Sequence, residues 1–307
     1  MSQNKELYDQ FLDWLRIGHS PETVQSYRWG LKIFIDWCDG TEKEILEMKE
    51  MDFVEYGLYL VDDRKLKKST QSSYLCGVRG LWRWLHRQGK VETNDDIIPV
   101  PKDNDKEHYP FVLPQEVKLM SSYFDEFFPD QLRDKTIISF LNATGLRIGE
   151  MLAIDVSQIN LEEKKAVVRT FKRRNHKREV YWDNDTNDLL AKWIDARERL
   201  SIKATYKSNA LFINLSTTNP GKRLYKGSVQ RMIRRVRKEV GIERCITAHS
   251  FRHGFGKKAV EHNVHPRYLQ KMLGHAKLNT TMFYMGVADG ELEKVYRSQM
   301  EQSITQS

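Results

Sequence analysis

Thr23, Tyr27, Gly30, Leu31, Phe34 and Trp37 recur 47 positions later as Thr70, Tyr74, Gly77, Val78, Leu81 and Trp84. In each copy the apolar members from threonine to tryptophan are spaced four, four, three and three apart, which places them on one stripe of a helix. A strand repeats every two residues and cannot hold such a stripe on one face. This part of the chain is therefore committed to helices. Ser20-Pro21-Glu22 reads as an N-cap followed by proline at the first helical position, and Ser69-Thr70 supplies the cap of the second copy. Gly40 and Gly89 follow the stripes and suit helix ends. With further helices near 5–17 and 50–61, residues 1–93 read as a four-helix domain. Of Trp14, Trp29, Trp37, Trp82 and Trp84, those on the stripe belong in its core. Off the stripe, Arg28, Lys32, Arg79, Arg83 and Arg87 are placed to face phosphates, and an ordinary solvated face explains them equally well.

Residues 94–110 break the pattern with three prolines, four aspartates and two asparagines, the composition of an extended linker. A second domain, 111–307, opens at Leu113-Pro114-Gln115-Glu116 and is again mainly helical, over 185–200, 227–240, 249–262, 265–273, 277–284 and 288–300. Short strands at 154–161, 166–170 and 179–182 form a small antiparallel sheet within it, with a basic tip at 171–178. The expected fold class is mainly α: a helical domain followed by an α+β domain.

Fifty Lys and Arg against 42 Asp and Glu leave a net charge of +8, which favours a polyanionic partner. Composition alone does not separate nucleic acid from an anionic membrane surface. No signal region opens the chain and no apolar run approaches a membrane span, so a soluble, cytoplasmic protein is expected. Cys38, Cys76 and Cys245 are odd in number and widely spaced, which implies no disulfide framework.

Thr144-Gly145-Leu146-Arg147-Ile148-Gly149-Glu150 sets an arginine just after a glycine turn, where its planar fork suits a phosphate; a surface arginine opening a helix looks the same. Between Lys164 and Arg178, eight of fifteen residues are Lys or Arg with no acid among them. Such a loop suits a nucleic-acid backbone, with Arg173, Arg174 and Lys177 as contacts, and a lysine in it is also a candidate proton donor. Lys222 to Lys238 carries another eight Lys and Arg, including Arg231 and Arg235, for which backbone contact and plain solubility compete. His249, His253, His262, His265 and His275 raise a metal reading, because His249 and His253 stand at i and i+4. No glutamate completes an HExxH pattern, and Arg252 shares the face of His249, where its charge repels a cation. No metal and no cofactor is expected. Tyr284, nine residues after His275, is by itself an ordinary packing residue.

TGLRIGE (144–150), HSFRH (249–253), LGH (273–275) and the tyrosine nine residues later together resemble the tyrosine recombinase, or integrase, family. The order of Arg, hairpin lysine, His-x-x-Arg, His and Tyr is reproduced, with 102 residues from Arg147 to His249 and 23 from Arg252 to His275. The likeness spans 114–287, and the N-terminal stripes resemble the family's core-binding domain, a DNA clamp. The first expected helix leaves no room for an extra arm-binding domain, so the chain looks like the compact Xer-type architecture.

The resemblance implies a site-specific recombinase that cleaves and rejoins DNA through a 3′-phosphotyrosine and a Holliday junction, without metal or ATP. It implies Tyr284 as nucleophile, Arg147 and Arg252 on the scissile phosphate, His249 assisting proton transfer, His275 bonding the phosphate, and Lys172 protonating the leaving oxygen. The implied partners are double-stranded recombination sites and three further protomers. Residues 288–300 have an amphipathic pattern with Leu292, Val295 and Met300, and this helix is expected to dock on a neighbouring protomer. The family's hairpin lysine usually sits among glycines; here it reads Phe171-Lys172-Arg173-Arg174, and Lys177 is a rival to Lys172. A metal-dependent nuclease using the histidines and a catalytically silent DNA-binding relative are the alternatives. Target sequence, accessory proteins and the choice among integration, excision and dimer resolution are not written in the chain.

Overall fold

A computed structural model describes residues 2–101, 110–170, 177–203, 208–217 and 219–275, with backbone alone at 201–203. The chain divides into two units, Met1–Glu107 and His108–Ser307.

The first unit is built from α1 (Gln3–Gly18), α2 (Pro21–Gly40), α3 (Glu50–Asp62) and α4 (Lys68–Arg87). Ser20 accepts the Thr23 N–H, with Pro21 at the first helical position. Helix α4, however, starts at Lys68 with no side-chain cap, so Ser69 and Thr70 lie inside its first turn. Buried Gln71 explains the earlier start: its Nε2 donates to the Leu66 carbonyl at 2.6 Å and anchors the turn from within. Gly89 stops α4 in the left-handed region, φ +68°.

Both repeat stripes face one core, in which Leu31, Phe34, Trp37, Val78, Leu81 and Trp84 are all buried. Each of the two helices offers a glycine to a tyrosine of the other. A Cβ on Gly30 would sit 3.1 Å from Tyr74, and one on Gly80 would sit 2.8 Å from Tyr27. Trp14 and Trp29, off the stripe, are exposed. Trp82 is also off the stripe yet buried, its Nε1 donating to the Thr93 carbonyl at 3.1 Å.

The residues after Thr93 correct the reading of an extended linker from residue 94. Asp95–Ile97 form a 3₁₀ turn and Ile98 is fully buried against the four-helix core. Arg79 donates to the Ile98 carbonyl through Nε at 2.9 Å and Nη2 at 2.5 Å, while Arg83 pairs with Asp95 at 2.6 Å. A few apolar residues, Ile97, Ile98 and Val100, are enough to dock an otherwise polar stretch. Residues 102–109 of the expected linker lie outside the described residues.

The second unit runs through α5 (Pro114–Ser122), α6 (Pro129–Thr144), α7 (Ile148–Leu152), strands β1 (Ile159–Asn160), β2 (Lys165–Arg169) and β3 (Lys177–Tyr181), then α8 (Asn184–Lys203), α9 (Lys226–Glu239), α10 (Ala248–Glu261) and α11 (Pro266–Leu273). Its fold class is the expected one, helices with a small antiparallel sheet, in the order β1-β2-β3. The first strand is much shorter than the expected 154–161. Gln158 Oε1 accepts the Asp155 N–H at 2.8 Å and pins a 3₁₀ turn over Val156–Gln158, while the Ile154 carbonyl is taken by the Leu211 N–H.

Helix α6 is the centre of this unit's core, with Ile137, Ile138, Phe140 and Leu141 fully buried against Leu190, Trp193, Val180 and Phe212. In β3 the alternation is strict: Val180 faces in, and Lys177, Glu179 and Tyr181 face out. Arg178 shares the parity of Val180. Among the described residues no helix is long and apolar enough to cross a membrane. The expected helices at 277–284 and 288–300 lie outside the described residues.

Candidate active site

Helix α6 ends at Gly145, whose φ of +59° turns the chain back on itself. Leu146 is buried, and Arg147 becomes the N-cap of α7. Its backbone N–H donates to Glu150 Oε2 at 3.1 Å and its Nη1 to Glu150 Oε1 at 2.9 Å. Nη1 and Nη2 also reach the Gly274 carbonyl at 3.4 and 3.5 Å. Glu150 is buried, and Arg178 from β3 closes on it from the other side at 2.8 Å. Burial pushes the Glu150 carboxyl up, but the hydrogen bond and charge of Arg178, with the charge of Arg147, more than offset this and hold it below its usual value.

Helix α10 delivers the next pair. Thr247 Oγ1 caps it by accepting the His249 N–H at 3.2 Å, and Ser250 Oγ accepts the Thr247 N–H at 3.1 Å. This start leaves His249 exposed and carries Arg252 into the interior. Arg252 Nη1 donates to the Gly145 carbonyl at 3.0 Å and Nη2 to the Leu273 carbonyl at 2.6 Å. One turn on, His253 meets His249 edge to face, ring centroids 4.5 Å apart. Burial, then the charges of His249 and Arg252, lower the His253 pKa to about 4.

Helix α11 ends at Gly274, also left-handed, and sets down His275, whose N–H donates to the Gln270 carbonyl at 3.0 Å. Burial lowers the His275 pKa to about 3, and the charges of Arg252, Arg147, Arg178 and His249 act in the same direction. Near neutral pH this imidazole is uncharged, one nitrogen a donor and the other an acceptor. Among the described residues the site thus gathers three guanidinium groups, Arg147, Arg178 and Arg252, around one carboxylate, Glu150. Such a surplus of fixed forks suits a phosphodiester oxygen.

Of the residues expected to act, Arg147, His249, Arg252 and His275 are brought together. Lys172, Arg173, Arg174 and Tyr284 lie outside the described residues. Lys177 opens β3 opposite Arg169, on the exposed face and with parity opposite to that of Arg178. Arg231 and Arg235 lie on the exposed side of α9; Arg231 covers the Tyr225 ring at 5.6 Å, and Arg235 stands 4.0 Å from Asp134. In the first unit Lys32 is exposed and Arg28 partly so, whereas Arg79 and Arg83 hold the 95–98 turn. Among the described residues no group of three His, Cys, Asp or Glu is placed to hold a metal ion.

Sequence reasoning passed over Glu150 and Arg178 as members of the site. Glu150 carried one readable signal, an acid three residues into a helix that an arginine opens, the spacing of a capping box. Arg178 was hidden among the basic residues of the hairpin, and only the strand parity tells it from Lys177.

The Phage integrase family model matches residues 110–291, and that for the phage integrase N-terminal SAM-like domain matches 7–89. The tyrosine recombinase XerC of Leptospira interrogans is 25% identical over 296 residues, covering 95% of this chain and 92% of its own. The tyrosine recombinase XerD of Listeria monocytogenes is 27% identical over 298 residues, covering 95% and 97%. Among solved structures, the Tn1549 transposon integrase in complex with transposon right end DNA superposes with a TM-score of 0.74 at 16% identity, over 97% of this chain and 99% of that one. XerH recombinase bound to palindromic difH substrate gives 0.70 at 19%, over 90% and 79%.

Proposed function

The chain belongs to the phage integrase family, and from that premise we propose that it is a site-specific DNA recombinase of the compact Xer type, cleaving and rejoining DNA through a tyrosine. The observation that carries the residue assignment is the convergence of Arg147, Arg252 and neutral His275, held by the Gly145, Leu273 and Gly274 carbonyls and by Glu150.

In this reading the Tyr284 hydroxyl oxygen attacks the scissile phosphorus. A bond forms from that oxygen to phosphorus, the bond from phosphorus to the 5′ oxygen breaks, and the strand is left as a 3′-phosphotyrosine. A phenol with a pKa near ~10 is a weak nucleophile at neutral pH, so His249 takes its proton. Arg147 and Arg252 meet the charge that grows on the non-bridging oxygens, and their carbonyl and carboxylate partners hold both forks in place beforehand. His275 donates its N–H to the same phosphate. Lys172 gives the leaving 5′ oxygen a proton. The parity of β3 speaks against Lys177 in this role, because Lys177 faces away from the side that Arg178 shares with Glu150. Attack by a 5′ hydroxyl of a second duplex reverses the chemistry and joins the exchanged strand, with no external energy source.

The first unit meets double-stranded DNA through Arg28 and Lys32, and the second meets the backbone through Arg173, Arg174, Arg231 and Arg235. Four protomers act on two sites through a Holliday junction in the cytoplasm, the 288–300 segment joining neighbours. Trapping on a nicked suicide duplex tests the assignment. The natural chain forms a covalent adduct in EDTA and Tyr284→Phe forms none; an undiminished adduct from Tyr284→Phe, or loss of activity in EDTA, overturns it.

A further inference from the structure

Arg178 takes no part in the steps above, yet its guanidinium binds three separate stretches of chain. Nη2 and Nη1 reach the two oxygens of Glu150 in α7 at 2.8 and 3.3 Å. Nη1 also donates to Thr170 Oγ1 at 3.1 Å, just after β2, and Nε to the Met272 carbonyl at 3.0 Å, in the last turn of α11. Only 10% of the Arg178 side chain is exposed, against 1% for Glu150. The guanidinium passes so close to the turn after α11 that a Cβ on Gly274 would stand 2.8 Å from Nη1. Glycine is therefore needed at 274 for a second reason besides its positive φ.

These bonds converge on the groups that the proposed reaction relies on. Glu150 Oε1 is shared between Arg178 and Arg147, so the direction of the Arg147 fork follows from where Arg178 holds the carboxylate. The α11 terminus that Arg178 grips at Met272 also supplies the Gly274 carbonyl to Arg147 and sets down His275. A lysine offers a single ammonium and cannot span the three partners at once. We infer that Arg178 is a positioning residue that joins α7, the end of β2 and the α11 terminus into one block, and so orients Arg147 and His275 toward the phosphate without itself touching it. The inference rests on the proposed phosphate roles of those two residues.

The test uses the full chain on the nicked suicide duplex, comparing the rate of adduct formation at saturating DNA, the DNA affinity and the melting temperature. Arg178→Lys keeps a charge beside Glu150 and is expected to slow adduct formation by roughly 10- to 100-fold, the usual effect of displacing a reacting group by about an ångström. Its affinity should stay within about threefold of the parent, and Arg147→Lys/Arg178→Lys should be no slower than the slower single variant, as expected of residues acting as a unit. Glu150→Leu/Arg178→Met removes both buried charges together, so it folds without an uncompensated ion and should still be slow. Parental rates from Arg178→Lys or from the double apolar variant, or a rate that falls only in step with affinity and melting temperature, overturn the inference. Arg147→Lys separates the two levels: if it cleaves at the parental rate, the phosphate reading fails and the inference with it. If it is slow while Arg178→Lys is fast, the inference alone fails.

Discussion

Arg252 Nη1 donates to the Gly145 carbonyl oxygen at 3.0 Å, across 107 positions of sequence. The same glycine ends α6 in the left-handed region and leads into Arg147 at the start of α7. One turn thus presents the first arginine of the proposed cradle and holds the second. Its geometry is narrow, because a Cβ at Gly145 would come within 2.8 Å of the Phe255 ring.

Gly145→Ala is therefore expected to cost about 1–2 kcal/mol from the backbone conformation alone, and more from the contact with Phe255. Gly89→Ala is the control, with φ +68° and open space around its Cβ, so only the conformational part remains. Urea midpoints should rank the parent above Gly89→Ala and Gly89→Ala above Gly145→Ala. Equal losses would show that Phe255 yields without penalty.

Glu150→Gln leaves the Arg178 charge largely buried with no carboxylate, and a loss of about 3–5 kcal/mol in denaturant unfolding is expected. The acid limb follows from the same carboxyl. Its folded pKa lies below the usual 4.5, so its stabilisation is complete above that value and is lost as pH falls through the folded one. A parent whose midpoint falls no faster than that of Glu150→Gln between pH 5 and acid unfolding would contradict this.

His275 acts in the same sense, because its folded form also refuses a proton. Its folded pKa is about 3, against 6.5 for an ordinary histidine, so between those values the unfolded chain binds a proton that the folded one refuses. Stability should fall as pH drops below about 6.5 and be indifferent to this group above it. His253, lowered to about 4, contributes in the same sense. The urea midpoint of His275→Gln should therefore drop less than that of the parent between pH 7.5 and pH 5. An equal drop would place the imidazole outside the arginine cluster.

Lys32 and Arg83 were equivalent candidates for phosphate contact, and the structure separates them. Both are exposed, but Arg83 is paired with Asp95 at 2.6 Å. Lys32→Ala should flatten the salt dependence of DNA binding by about one unit of slope. Arg83→Ala should leave the slope unchanged and instead speed proteolysis near residues 94–101. The reverse pattern would return Arg83 to the DNA face.

How much was legible depended on how far apart the interacting groups lie in sequence. The stripe spacings of three and four, the Ser20-Pro21 start and Pro114 at the first turn of α5 are matters of neighbours within about four positions, and apart from the earlier start of α4 the helices stand where these signals put them. Arg147, His249, Arg252 and His275 could be named as candidates because each sits in a short motif. The stretch from residue 94 read as linker because its composition is polar, and composition does not say that Ile98 finds an apolar surface on α4.

By itself the sequence determined the helical periodicity, the order of the chemical groups and the family to which they belong, all of which are written in local spacing. Tertiary structure decided which charges are spoken for. Arg79 and Arg83 are tied to a turn, Lys177 and Arg178 part to opposite faces of one strand, and Glu150 lies between two arginines. Other contacts of the site join residues 127 positions apart, as between Arg147 and Gly274. A guanidinium has the same composition whether it is held or free, and only the packing of the chain brings its partner within a hydrogen bond.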